Sequence, residues 1–205
     1  MAIACPINLD VERLRDEVGE TYSRLVKEPG GEFHFHHGLD YACERLRYDR
    51  DELESLPAEC TERFAGLGNP HRVGPIKPGE TVLDIGCGAG TDLLLAARRT
   101  GPDGKVIGVD ATGAMRELAA SSARQAGVSE RVDIRAGRAE ELPVDNASID
   151  VVISNGVINL APDKRVAFEE IVRVLRPGGR LYLADVVITE ELSQASRSDA
   201  ELWAA

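Results

Sequence analysis

At 205 residues, with 43% hydrophobic and 29% charged side chains, the chain has globular composition and the length of one domain, or of two only if both are small. No run approaches the roughly 20 apolar residues of a membrane helix, and the start lacks the basic flank and apolar stretch of a secretory signal, which points to the cytosol. Lys plus Arg (24) against Asp plus Glu (35) leaves a net charge of -11 spread over the chain, which argues against nucleic acid or an anionic membrane as the main partner and leaves a small molecule.

The first 80 residues read as helices. Apolar positions Leu9, Val11, Leu14, Val18, Tyr22 and Leu25 fall at helical spacing before the stop Pro29-Gly30-Gly31. Two more helices are predicted at 41–46 and 49–64, followed by a Gly/Asn/Pro exit at 66–70. From Thr81 the pattern changes to β-branched runs at 81–85, 105–109, 131–135, 148–154 and 180–188, alternating with helical stretches at 91–100, 113–126 and 163–175. The order β-α-β-α-β-β-α-β predicts an α/β fold, a doubly wound and mostly parallel sheet with helices on both faces. The division expected is a helical segment, 1–78, forming a lid or substrate-side cover, and a cofactor-binding core, 79–205.

The chemistry concentrates where the first strand ends, in Asp84-Ile85-Gly86-Cys87-Gly88-Ala89-Gly90-Thr91-Asp92. Glycines after a buried strand let the backbone turn tightly and approach a ligand, and the helix behind presents free N–H groups. The next strand ends in Asp110, 20 residues after Gly90, where a ribose-binding acid is expected. A dinucleotide loop reads G-x-G-x-x-G and must accept a pyrophosphate. Here the spacing is G-x-G-x-G, and the Asp84 carboxylate two residues before it would repel phosphate. S-adenosylmethionine has no phosphate and carries a cationic ammonium and sulfonium, so it suits an acidic loop. The plainer reading of Asp84 is a cap on loop N–H groups.

Residues 81–188 resemble a class I S-adenosylmethionine-dependent methyltransferase. Asp84 to Gly90 is similar to that family's glycine motif, Gly108-Val109-Asp110 to its ribose motif, Ala139-Glu140-Glu141-Leu142-Pro143 to its adenine-side motif, and Leu175-Arg176-Pro177-Gly178-Gly179 to the motif before its fifth strand. Within the family, the segment from Ser154 to Lys164 and the stretch around Gly68-Asn69-Pro70 resemble the arsenite methyltransferase-like group. The resemblance implies a Rossmann-like fold, methyl transfer, and a cofactor site drawn from Tyr22, Asp84, Gly86, Cys87, Gly88, Gly90, Asp92, Asp110, Ala111, Met115, Arg138, Ala139 and Asn155. It also exposes departures. Gly156 and Leu67 stand where that group carries metalloid-binding cysteines, and Arg138 stands where an acid usually meets the adenine amino group.

Cys43 and Cys60 are the candidate replacement pair for a thiophilic metalloid, but one cysteine on each of two helices reads first as core packing. His34-Phe35-His36-His37 matches no standard zinc spacing, so no metal is expected. His34, His36 and His37 are the candidate bases if the methyl acceptor carries a proton, and Asn155 is a candidate for orienting it. The expected function is methyl transfer to a small molecule. The alternatives are metalloid methylation through non-standard cysteines and a cofactor-binding regulatory subunit without turnover. Class I methyltransferases usually end in a two-strand hairpin, whereas the residues after 188 fit one helix at 190–203. The hairpin is therefore expected to be missing; either a second copy, a partner chain or the N-terminal segment covers the edge of the fifth strand, or the chain is a truncated form of a longer protein.

Overall fold

The computed structural model describes residues 10–187 together with Ser193. Helix α1 (Val11–Lys27) starts at Asp10, whose carboxylate accepts the Arg13 N–H at 3.1 Å. The helix predicted at 49–64 is broken in two, α3 (Arg50–Glu54) and α4 (Ala58–Thr61), with α2 (Leu39–Leu46) before them. Pro57 is the cause: it offers no N–H to the preceding turn and keeps Leu56 out of the helical region.

The second part follows the predicted order as β1 (Thr81–Ile85), α5 (Thr91–Thr100), β2 (Lys105–Asp110), α6 (Gly113–Gln125), β3 (Val132–Ala136), β4 (Ile149–Asn155), α7 (Lys164–Val174) and β5 (Leu175–Ala184). The strands lie in the order β3-β2-β1-β4-β5 and every pairing is parallel. β5 begins five residues earlier than expected, because Leu175 already pairs with Ile149 before a register shift carries Arg180 opposite Val151. It ends at Ala184, and the helix expected at 190–203 lies outside the described residues.

Successive strand residues feed opposite faces. Val82, Val106, Val151 and Ile153 join α5 and α6 in one core, while Leu83, Ile85, Val109 and Val152 join Ile171 and Val174 of α7 in the other. Leu25, Leu53, Leu56, Cys60 and Phe64 belong to the first of these cores, so the N-terminal helices share apolar burial with the sheet. Gly19 sits in the middle of α1, where glycine costs about 1 kcal/mol relative to alanine. The strand order reverses at β1, with β2 on one side and β4 on the other, which opens a crevice at their carboxyl ends.

Candidate cofactor site

That crevice is a cavity of about 230 Å³. Its floor is the end of β1, the glycine loop and the ends of β2 and β4; its roof is the stripe Leu14, Arg15, Val18, Gly19 and Tyr22 of α1. Residues 63–66 and 160–162 close its sides.

The glycine loop is held from β2. Gly86 and Cys87 donate to the Val109 carbonyl at 2.7 and 3.1 Å, and Asp110 accepts Gly88 N–H at 2.9 Å and Thr112 N–H at 2.8 Å. Gly86 has φ +70°, and a methyl group there would run into the Val157 side chain. Gly88, at φ +50°, has nothing within 4 Å of where a Cβ would stand, so its backbone is open to a ligand.

Three carboxylates converge on this floor. Asp84 is 2% exposed and its Oδ2 has no hydrogen-bond partner. Burial, with Asp92 and Asp110 nearby, pushes its carboxyl well above the usual range. The plainer expectation for Asp84, a cap on loop N–H groups, is not met. Asp110 is also raised by burial, against the pull of its two backbone donors. Asp92 goes the other way: burial opposes its charge, but His71, Asn155 and Tyr48 hold it below the usual range.

These partners form a network that the sequence reading missed. The Tyr48 hydroxyl donates to Asp92 Oδ1 at 2.7 Å, and His71 Nε2 lies 3.2 Å from the same oxygen. The Asn155 amide donates to Asp92 Oδ2 at 3.0 Å and to Gly68 O at 2.9 Å, and its oxygen accepts Leu67 and Gly68 N–H at 2.8 and 3.0 Å. Both ends of Asn155 are therefore committed to holding Leu67 and Gly68 over the end of β4, and its amide is not free to orient an acceptor.

Of the expected site residues, Tyr22, Asp84, Gly86, Cys87, Gly88, Asp92, Asp110, Ala111, Met115, Arg138, Ala139 and Asn155 line the cavity. Gly90 does not: at φ +100° it is the N-cap of α5 and packs on Ala119. Tyr22 stacks on Phe35, and burial together with Asp110 and Asp185 pushes its hydroxyl up to about 12. The expectation that His34, His36 or His37 supplies a base is corrected by their placement. None lines the cavity; His34 and His36 are exposed, and His37 bonds the Pro29 carbonyl and packs edge-on to Phe33. Cys43 and Cys60 also lie off the cavity, and burial raises both thiols, Cys60 to about 11. Among the described residues no group of three or more His, Cys, Asp or Glu could hold a metal ion.

Fold and floor together define a doubly wound domain with an acidic, glycine-lined crevice at its switch point. The family model described as a methyltransferase domain matches residues 76–205. The arsenite methyltransferase of Halobacterium salinarum is 49% identical over 146 residues, covering 71% of this chain and 37% of the relative. The 27-O-demethylrifamycin SV methyltransferase of Amycolatopsis mediterranei is 34% identical over 179 residues, 84% of this chain and 59% of the relative. Among solved structures, an arsenic (III) S-adenosylmethionine methyltransferase from Chlamydomonas reinhardtii superposes with a TM-score of 0.65 at 38% identity, covering 72% of this chain and 51% of that one. The chain belongs to the class I S-adenosylmethionine-dependent methyltransferase family. It spans roughly a third to three-fifths of the length of these relatives.

Proposed function

We propose that the chain transfers a methyl group from S-adenosylmethionine to a small-molecule acceptor other than arsenite. The observation that carries the cofactor assignment is Asp84, a buried carboxylate with an orphaned oxygen at the mouth of a glycine loop. Such a group is costly to keep unless a cation comes to it. In this reading Asp84 takes the ammonium, the Gly86–Gly88 backbone lies along the methionine portion, Asp110 has lone pairs left for the ribose hydroxyls, and Met115 and Ala139 flank the adenine. Bound there, S-adenosylmethionine supplies an electrophilic methyl group for in-line displacement. The protein contributes alignment and exclusion of water, the latter through α1 acting as a lid with Tyr22 on its inner face.

The acceptor assignment rests on the side of the cavity beyond Asn155. The two positions that the family resemblance would fill with metalloid-binding cysteines face each other, and they hold Leu67 and Gly156: a Cβ on Gly156 would stand 3.0 Å from Leu67 Cγ. An apolar contact therefore stands where thiolates would be needed to hold a soft ion. Phe64, Ala65, Val157, Leu160, Ala161 and Pro162 line the same side and suit an apolar acceptor. With S-adenosylmethionine present, arsenite is expected to stay unmethylated by mass spectrometry; methylarsenicals would overturn this choice. Cofactor binding with no turnover on any acceptor would instead favour a regulatory subunit.

Two lesser assignments accompany this. β5 pairs only with β4 among the described residues, and we place a second copy or a partner chain along its open edge. Sedimentation showing a monomer would reject that. Among the described residues the cysteines Cys43, Cys60 and Cys87 are free, which suits a reducing compartment such as the cytosol. Among the described residues no helix is long and apolar enough to cross a membrane.

A further inference from the structure

Arg15, Arg63 and Arg138 line the cavity, and the first two are committed within the protein. Arg15 pairs with Glu12 at 3.0 Å, while Arg63 donates to the Val26 carbonyl at 2.9 Å and lies 3.5 Å from Glu62. Arg138 is different. It is exposed, and among the described residues its guanidinium has no hydrogen-bond or ion-pair partner, although two acids, Glu140 and Glu141, follow it closely in the chain.

The backbone fixes where Arg138 stands along the crevice. Asp84 lies near the end of β1, Asp110 ends β2, and β3 is the next strand in the sheet. A cofactor with its ammonium at Asp84 and its ribose at Asp110 runs from β1 across β2, so its base, beyond the ribose, reaches the end of β3. There Gly137 donates to the Asp110 carbonyl at 3.3 Å. A Cβ on Gly137 would stand 2.9 Å from Val109 Cγ1 and 2.6 Å from Pro143 Cδ, so the chain is pressed against the end of β2. Arg138 is the next residue, and Glu141 N–H donates to its carbonyl at 3.1 Å to turn the chain back. Arg138 therefore belongs to the base end of the cavity, with two strands between β3 and the β4 strand that carries Asn155.

A guanidinium offers donors only. The 6-amino group of adenine is also a donor, so arginine cannot replace an acid that accepts from it. A 6-oxo purine instead presents O6 and N7 side by side as acceptors, the pair that an arginine fork matches with two hydrogen bonds. We propose that Arg138 is a specificity-determining residue that opens the cofactor site to a 6-oxo purine in place of adenine. The inference rests on the methyltransferase reading above and deepens it by naming the nucleoside class the site takes: purine ribosides with an acceptor at position 6, alongside adenosine.

The test is calorimetric titration of wild type, Arg138→Ala and Arg138→Glu with S-adenosylhomocysteine and with S-inosylhomocysteine, its 6-oxo counterpart. The two ligands differ only in the base and carry the same net charge, so long-range electrostatics cancels in the ratio of their dissociation constants. Because Arg138 is exposed and its side chain unpartnered among the described residues, neither substitution should compromise folding. Wild type should bind S-inosylhomocysteine no more than about threefold more weakly than S-adenosylhomocysteine. The ratio should shift towards S-adenosylhomocysteine by about fivefold in R138A, and by at least about thirtyfold in R138E, where a carboxylate meets O6. A wild-type preference for S-adenosylhomocysteine above about tenfold, or a ratio constant within about twofold across the three proteins, would overturn the proposal and leave the cofactor reading intact. Failure of all three proteins to bind either ligand would overturn that reading, and this one with it.

Discussion

The floor and the roof of the cavity are built from different materials. The floor consists of backbone turns at the ends of β1, β2 and β4, whose N–H groups donate hydrogen bonds of 2.7–3.1 Å to Val109, Asp110 and Asn155, and it concentrates negative charge. The roof is one amphipathic helix, whose side chains reach the cavity from outside the sheet and are largely apolar. A floor held in this way positions a ligand of fixed shape, as a cofactor is. A single docked helix can change its inner face without disturbing the sheet.

Substitutions should separate the two regions, and the largest effect is expected at the floor. Gly86→Ala places a methyl group against Val157 at a φ of +70°, so S-adenosylhomocysteine binding should fall at least 100-fold in a calorimetric titration. Loss of binding below threefold would show the loop to be more yielding than its contacts imply.

Asp84→Asn should weaken the same binding about 30-fold or more while raising the stability of the ligand-free protein. The carboxyl is pushed well above the usual range in the folded state, so above that range the unfolded chain has lost a proton the folded one keeps. Stability therefore declines with rising pH until the raised folded value is passed. Asparagine escapes that decline. Its melting temperature should exceed wild type at neutral pH, by about 2–4 °C for each kcal/mol recovered, and the gap should close on acidification through the ordinary carboxylate range. A variant less stable than wild type at neutral pH would contradict the assignment of Asp84 as an uncompensated buried acid.

Asn155→Ala removes the donor and acceptor that hold Leu67 and Gly68 and leaves Asp92 short of a partner. It should cost about 2–3 kcal/mol by chemical denaturation. The smallest effect is expected away from both regions. Ala147 is a non-glycine residue at φ +48°, and Ala147→Gly should gain about 1 kcal/mol with no change in ligand affinity. A change in affinity there would mean that floor and periphery are coupled.

The floor was legible in the sequence because it is local: strand, glycine run and Asp92 lie in one stretch, and Asp110 follows one helix and one strand later at a fixed offset. The strand order was legible for the same reason, since each β-α unit carries its own periodicity. The misses are tertiary or positional. Tyr48, His71, Asp92 and Asn155 come from four separate parts of the chain, and only a lone histidine beside Asn69-Pro70 hinted at the network. Pro57 was a readable break inside the helix expected at 49–64. The early start of β5 was not readable, because Pro177-Gly178-Gly179 looks like a helix stop whether or not the backbone has already joined the sheet. The histidines at 34–37 were placed near the site by residue type alone, whereas His36 packs on Tyr41 and His37 is held by Phe33 and the Pro29 carbonyl.

The central claim is that the acidic floor, through Asp84, receives the cationic end of the cofactor. Titrating S-adenosylhomocysteine into the wild-type chain by calorimetry, in two buffers of different ionisation enthalpy, tests it most directly. Burial raises the Asp84 carboxyl and a cation arriving beside it pulls the other way, so binding favours loss of a proton. The account predicts saturable binding at one site with net proton release, and affinity that rises with pH above the ordinary carboxylate range. Absence of binding, or binding with proton uptake, would contradict it.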